Sequence, residues 1–244
     1  MEIPVRIVLV ETSHPGNIGA VARAMKTMGL RDLALVRPKF FPHEEAVARA
    51  AGADDILDRA MVCDSFVDAI ADCGFVVGTS ARLRNLSCPT VDPRECAALV
   101  MERLPQTKAA IVMGPEQSGL TNEHTGHCRY LVNIPTSEEY SSLNLAMATQ
   151  VVCYELRMAA LSHVGRAAAE REAPLATAEE IDGFHQHLEK VLAGTGFFNP
   201  EHPYSLKLRL RRLFSRAELD RTEVNILRGA LAALDPERKR KSSE

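Results

Sequence analysis

The sequence predicts an α/β fold built on a mostly parallel sheet, followed by a smaller all-helical unit, and three observations carry that reading. Short apolar runs of β type recur through the first part of the chain, with helical patterns between them. The runs lack polar alternation, as strands do when they are buried on both faces and joined by helical crossovers. From residue 179 onward the periodicity is helical throughout. The 244 residues are 46% hydrophobic and 25% charged, which excludes a disordered or fibrous chain, and the length suits one large domain plus a small one.

Taken in order, the first strand is VRIVLV (5–10), and the turn SHPGNIGAVAR (13–23) opens a helix over about 17–28. That helix places Ile18, Val21, Ala22, Met25 and Met28 on one side, with Gly29 as its C-terminal stop. LALV (33–36), FVV (75–77), AAIVM (109–113) and YLVNI (130–134) supply further strands. The fourth run continues into IVMGPEQSGLT, where Gly114 and Gly119 keep the G-x-x-x-x-G spacing of a phosphate-cradling loop. Leu120, however, stands where such a loop needs a lysine, so a triphosphate is not its ligand. A second long helix, about 142–161, repeats Leu143, Met147, Val151, Tyr154, Met158 and Leu161 at helical spacing. SHVGRAAAEREAPLATA (162–178) is poor in large apolar residues and broken by Gly165 and Pro174, which marks a linker between domains at 1–161 and 179–244. No internal repeat is present.

No run approaches the ~18 apolar residues of a membrane span, and MEIPVRIVLV lacks the pattern of a secretion signal, so a cytosolic protein is expected. The six cysteines form no C-x-x-C pair and read as free thiols. His124, His127 and Cys128 form one cluster without a second pair of ligands, so no metal is expected there. The net charge of −3 hides an asymmetry, because residues 201–244 hold 11 Lys/Arg against 7 Asp/Glu. KLRLRR (207–212) and RKRK (238–241) fit either a nucleic-acid footprint or a solvated helix face with a basic tail.

Three segments hold residues that a plain core does not require: Ser13–Arg23, Gly114–Gly119 and Glu138–Met147. The first two follow strands directly, where free N–H groups at a helix start or glycine turn hold polar ligands. Each also has a structural reading, with Asn17 capping its helix, Arg23 solvated, and Ser141, Ser142 or Asn144 serving as an N-cap.

Together, N-x-G-x-x-x-R (Asn17, Gly19, Arg23), G-x-E-x-x-G-L (Gly114, Glu116, Gly119, Leu120) and S-S-L-N-L-A (141–146) resemble the three motifs of the SpoU branch of the SPOUT methyltransferases. VVGTSAR, DPREC, LRRLF and NILRG extend the likeness to the TrmJ-type tRNA ribose 2′-O-methyltransferases over nearly the whole chain. The resemblance implies a trefoil knot in the first domain, S-adenosylmethionine (SAM) as methyl donor, tRNA as substrate, and a homodimer without metal or membrane. It also implies SAM contacts at Thr79, Ser80, Ala81, Gly114, Ile134, Ser141, Ser142 and Leu143. Catalytic roles fall on Arg23, Asn17, Glu116, Ser142 and Asn144, with Arg23 working near the SAM of the other subunit. A guanidinium is a poor base, so electrostatic stabilisation and positioning suit Arg23 better than proton removal. Pro115 departs from the family pattern, which has arginine there. The C-terminal unit would meet tRNA through Lys207, Arg209, Arg211 and Arg212, with Leu206, Leu210, Leu213 and Phe214 turned inward. A non-catalytic RNA-binding protein on the same fold is the competing reading, and the intact motif residues oppose it. A dinucleotide oxidoreductase would need G-x-G-x-x-G after its first strand, which SHPGNIGAVAR does not supply.

Overall fold

In a computed structural model, residues 2–81, 88–162, 173–195, 197 and 203–235 are described. The first unit runs β1 (Ile3–Val10), α1 (Pro15–Met28), β2 (Leu30–Val36), α2 (Glu44–Ala50), α3 (Asp54–Asp58), β3 (Met61–Cys63), α4 (Phe66–Ile70) and β4 (Cys73–Thr79). It continues through β5 (Thr90–Val91), α5 (Pro93–Arg103), β6 (Lys108–Met113), α6 (Asn122–Gly126), β7 (Tyr130–Val132) and α7 (Leu145–Ser162). The C-terminal unit holds α8 (Ala178–Gly194), α9 (Pro203–Ser215) and α10 (Arg221–Leu234).

The strands form one sheet in the order β3-β2-β1-β6-β4-β7-β5, and every ladder is parallel. All strand C-termini therefore lie along one edge. The sheet is buried on both faces, as the unbroken apolar runs require. Ile7, Leu9, Leu33, Leu35, Ile111 and Met113 enter the core shared with α1, α5 and α7, while Val8, Val10, Ala34, Val36, Ala110 and Val112 enter the core shared with α4.

Each of the five expected strand runs lies in a strand, although β7 ends at Val132, before Asn133 and Ile134. The sheet adds β3 and β5, too short to register as apolar runs. Gly29 stops α1 at φ 84°, in the left-handed region where glycine carries no Cβ penalty. Helix α1 begins at Pro15 with His14 as its N-cap, so the reading of Asn17 as the cap is corrected. One strand residue is unexpected: Arg6 is buried and bonds Asp32 at 2.9 Å and Asp72, pairing a charge that would otherwise be costly inside the fold.

The segment expected as a linker is only partly so. Residues 163–172 lie outside the described structure, but Leu175 and Ala176 are buried, Leu175 bridges to Asp220, and Thr177 caps α8. The C-terminal unit is helical, as its periodicity predicts, and Phe184, Leu188, Val191, Val224 and Leu231 form a core of its own.

Candidate active site

The adjacency of β1 and β6 sets the site. Their parallel pairing brings the turns after both strands face to face, so residues some hundred positions apart can bond. The Glu116 carboxylate is the hub. Its Oε2 accepts from the Ser13 N–H and hydroxyl, both at 3.1 Å, and its Oε1 accepts from Asn17 Nδ2 at 3.0 Å and the His14 N–H at 3.4 Å. Burial acts to raise its pKa, but the bonds from Asn17 and Ser13 prevail and hold it below the usual carboxylate range. An ionised carboxylate only accepts, which fixes the amides beyond it. Asn17 turns its Nδ2 to Glu116, so its Oδ1 is left to accept from Asn144 Nδ2 at 3.0 Å. Asn144 Oδ1 in turn accepts the N–H groups of Ala146 at 2.9 Å and Met147 at 3.4 Å, capping α7. One chain of bonds thus ties the starts of α1 and α7 to the turn after β6.

Beside this network lies a cleft of about 300 Å³ at the C-terminal ends of β4, β6 and β7. All eight residues expected to hold a cofactor line it: Thr79, Ser80, Ala81, Gly114, Ile134, Ser141, Ser142 and Leu143. Glu116 lines it as well, whereas Asn17 and Asn144 lie in the bracing network behind. Arg23 is not among the lining residues. It stands exposed on α1, and its guanidinium makes no hydrogen bond or ion pair among the described residues.

The glycine loop closes on itself. The Gly119 N–H donates to the Pro115 carbonyl at 2.9 Å, and a Cβ on Gly114 would lie 2.5 Å from the Leu120 nitrogen. Gly114 is therefore needed for the loop's own closure, beyond any approach of a ligand. Leu120 packs on the second core, its Cδ1 2.8 Å from where a Gly78 Cβ would stand. That explains leucine where a phosphate loop carries lysine: the position anchors the loop. Asn133, not anticipated, fixes the cleft wall by donating Nδ2 to the Ser80 carbonyl at 2.9 Å. A flag for it in the sequence would have been an asparagine inside the otherwise apolar run YLVNI.

The basic residues of α9 differ from expectation. Of Lys207, Arg209, Arg211 and Arg212, only Arg209 is exposed, and Leu213, expected inside, is 51% exposed. Arg211 points inward to Asp182 and lies 3.3 Å from His127, while Lys207 pairs with Glu189 at 2.7 Å. The tail RKRK lies outside the described residues. His124 serves structure, with its Nδ1 accepting the Thr121 N–H at 3.3 Å and its ring against Phe66, and Cys128 is buried in the core. Among the described residues no group of three His, Cys, Asp or Glu is arranged to hold a metal ion, and no helix is long and apolar enough to cross a membrane.

Residues 4–154, which carry the sheet, the cleft and the bracing network, match the SpoU rRNA Methylase family. The chain belongs to that family. Residues 179–244 match the C-terminal domain of the tRNA methyltransferase TrmJ, so this SpoU protein carries the helical extension of the TrmJ group. It is 49% identical to the tRNA (cytidine/uridine-2′-O-)-methyltransferase TrmJ of Cronobacter sakazakii, covering 97% of this chain and 98% of that one. It is also 49% identical to the tRNA (cytidine/uridine/adenosine-2′-O-)-methyltransferase TrmJ of Pseudomonas aeruginosa, over 93% of this chain and 92% of that one. The crystal structure of TrmJ from Z. mobilis superposes with a TM-score of 0.85 at 34% identity, covering 94% of this chain and 98% of that one.

Proposed function

We propose that this SpoU-family chain transfers a methyl group from SAM to a ribose 2′-hydroxyl of tRNA, on cytidine or uridine at position 32 of the anticodon loop. The observation that carries the reading is the cleft, where three strand-end loops meet on one hydrogen-bond network centred on Glu116. Its lining fits SAM. Met113, Val132, Ile134 and Leu143 offer apolar walls, Thr79, Ser80, Ser141 and Ser142 a small polar edge, and Glu116 is the one charged lining residue among the described residues. That carboxylate suits a cationic sulfonium better than a triphosphate.

Bound SAM supplies an electrophilic methyl carbon. The chain's own part is alignment. The Glu116–Asn17–Asn144 network fixes the starts of α1 and α7, and Ser142 stands at the cleft rim to orient the ribose. Arg23 stabilises negative charge growing on the attacking oxygen. In a single chain Arg23 stands apart from the cleft, which supports a dimer in which each copy lends Arg23 to the other's site. The apolar stripe of α7 supports the same assembly, for Met147, Val151, Tyr154, Met158 and Leu161 are 37–64% exposed where a second copy would cover them. We place the trefoil knot in the C-terminal part of the first domain, where the turn after β6 and the passage from β7 to α7 both line the cleft. The domain division at 1–161 and 179–244 is kept, with residues 173–177 counted as docked to the helical unit.

The test is methylation of a tRNA transcript by purified protein with labelled SAM, together with mapping of 2′-O-methyl marks in cells with and without the gene. A mark at position 32 that persists without the gene and without a redundant enzyme would refute the assignment. Binding of RNA without turnover would favour the non-catalytic reading.

A further inference from the structure

The turn after β2, residues 37–43, lies on the same sheet edge as the cleft and takes no part in the network around Glu116. Its sequence RPKFFPH sets two phenylalanines side by side, and the fold sends them opposite ways. Phe41 packs on the main core and pins the backbone, whereas Phe40 is held 49% exposed. Two side chains frame the outward ring. The Lys39 ammonium lies 5.5 Å from its centroid, and the His43 ring lies 6.5 Å away at an interplanar angle of 60°. His43 is itself held, since its Nδ1 accepts the Glu45 N–H at 3.1 Å as the N-cap of α2. With that nitrogen an acceptor, the neutral ring carries its proton on Nε2.

The turn is coupled to the reaction centre. The Lys39 N–H donates to the Thr12 carbonyl at 3.0 Å, and the next residue, Ser13, holds Glu116. Helix α2 presses on α1 so closely that a Cβ on Gly19 would stand 1.9 Å from the Ala46 oxygen. Two strand spacings separate the end of β2 from the end of β6, about 10 Å.

We propose that Phe40, flanked by Lys39 and His43, is a stacking platform for an unpaired nucleobase adjacent to the nucleotide being methylated. The site rests on the RNA-methylating reading above. An exposed aromatic face takes any base, and RNA loops offer unstacked bases that duplexes do not. Lys39 supplies the cation for the adjoining phosphate, while Glu44 and Glu45 in the first turn of α2 repel phosphate on their side and leave that side to the uncharged base.

The chain contains no tryptophan, so Phe40→Trp places a single indole at the platform. Its fluorescence should be quenched saturably by an anticodon stem-loop RNA, and the quenching should vanish when the base next to the target is replaced by an abasic site. Phe40→Ala should raise the KM for tRNA roughly 5- to 100-fold, with SAM affinity unchanged. Phe40→Tyr should restore it and Phe40→Leu, apolar but without a π face, should not. Full activity of Phe40→Leu, or unquenched indole under conditions of shown RNA binding, overturns the platform alone. Loss of the dimer in Phe40→Ala, read by sedimentation, overturns it in favour of a contact between copies. Failure of the wild-type protein to bind tRNA overturns the substrate reading and the platform together.

Discussion

Replacing Glu116 by glutamine tests the network at its hub. The carboxylate accepts four hydrogen bonds, from Ser13 N, Ser13 Oγ, His14 N and Asn17 Nδ2. Glutamine keeps one acceptor oxygen and turns the other into a donor. If its NH2 faces Ser13, that backbone N–H loses its partner. If it faces Asn17, two NH2 groups meet, and flipping Asn17 only moves the conflict to Asn144 and the cap of α7. One or two charge-assisted bonds are lost either way, each worth roughly 1.5–3 kcal/mol, and the partial exposure of the site reduces the sum to about 2 kcal/mol. In a protein of this size that lowers Tm by roughly 4–8 °C. The pH dependence carries the sign. A carboxylate held below its usual range stabilises the fold fully above its unfolded pKa and loses that contribution as pH falls through the lower folded value. The gap between wild type and Glu116→Gln should therefore be complete at neutral pH and close in acid, as followed by urea denaturation across pH. Equal stability at neutral pH, or a gap that ignores pH, would show that Glu116 is not an ionised hub.

Four further outcomes are expected. Arg23→Ala should leave stability and SAM affinity unchanged while lowering kcat roughly 10²- to 10³-fold, checked by calorimetry and single-turnover kinetics. Leu120→Lys should gain no affinity for ATP and should cost roughly 2–4 kcal/mol in urea denaturation, because it turns an ammonium toward the second core. His127 and His185 are depressed to about 4, first by burial and then by Arg211, so the unfolded chain binds protons that the fold refuses. Stability should fall as pH drops from about 6.5 toward 4, and the double replacement His127→Gln/His185→Gln should flatten that slope. Charge reversal should separate two arginines of α9: Arg209→Glu should flatten the salt dependence of tRNA binding, while Arg211→Glu should mainly destabilise by opposing Asp182.

The sequence made the sheet legible because strands buried on both faces cannot hide their apolar runs. The cleft was legible for a related reason: strand-end loops of a parallel sheet converge on one edge, so three motifs in separate turns could be expected to meet there. What it concealed were pairings that depend on which strands become neighbours. Asn17 looked like a helix cap until β6 settled beside β1 and offered Glu116 as its partner. The stripe from Met147 to Leu161 shows a helix, but periodicity records that a face is apolar and not what covers it. Here the buried face of α7 is instead Leu145, Val152, Cys153 and Leu156. Helix α9 errs the same way, since amphipathic spacing predicted Arg211 outside and Leu213 inside.

That inversion in α9 bears on how the substrate is held. Basic residues near the seam between the two units are spent on attachment. Arg103 bonds Glu218 at 2.7 Å and lies 4.8 Å from the Phe75 ring centroid, Arg129 approaches the same Glu218 at 3.4 Å, and Arg211 is committed to Asp182. The two Glu218 contacts, with Arg211 3.3 Å from His127, dock the helical unit on the sheet domain, while the Arg211–Asp182 pair ties α9 to α8, so α9 keeps one register relative to the cleft. They also leave Arg103, Arg129 and Arg211 neutralised by Glu218 and Asp182 and not available to pair with phosphate. On the proposed reading, affinity would then rest on geometry: the exposed Arg209 of each copy in the proposed dimer, and aromatic contact with bases that only a loop displays. On that reading a folded anticodon arm should be bound more tightly than single strands of the same sequence, because the arm arrives with its bases already turned outward.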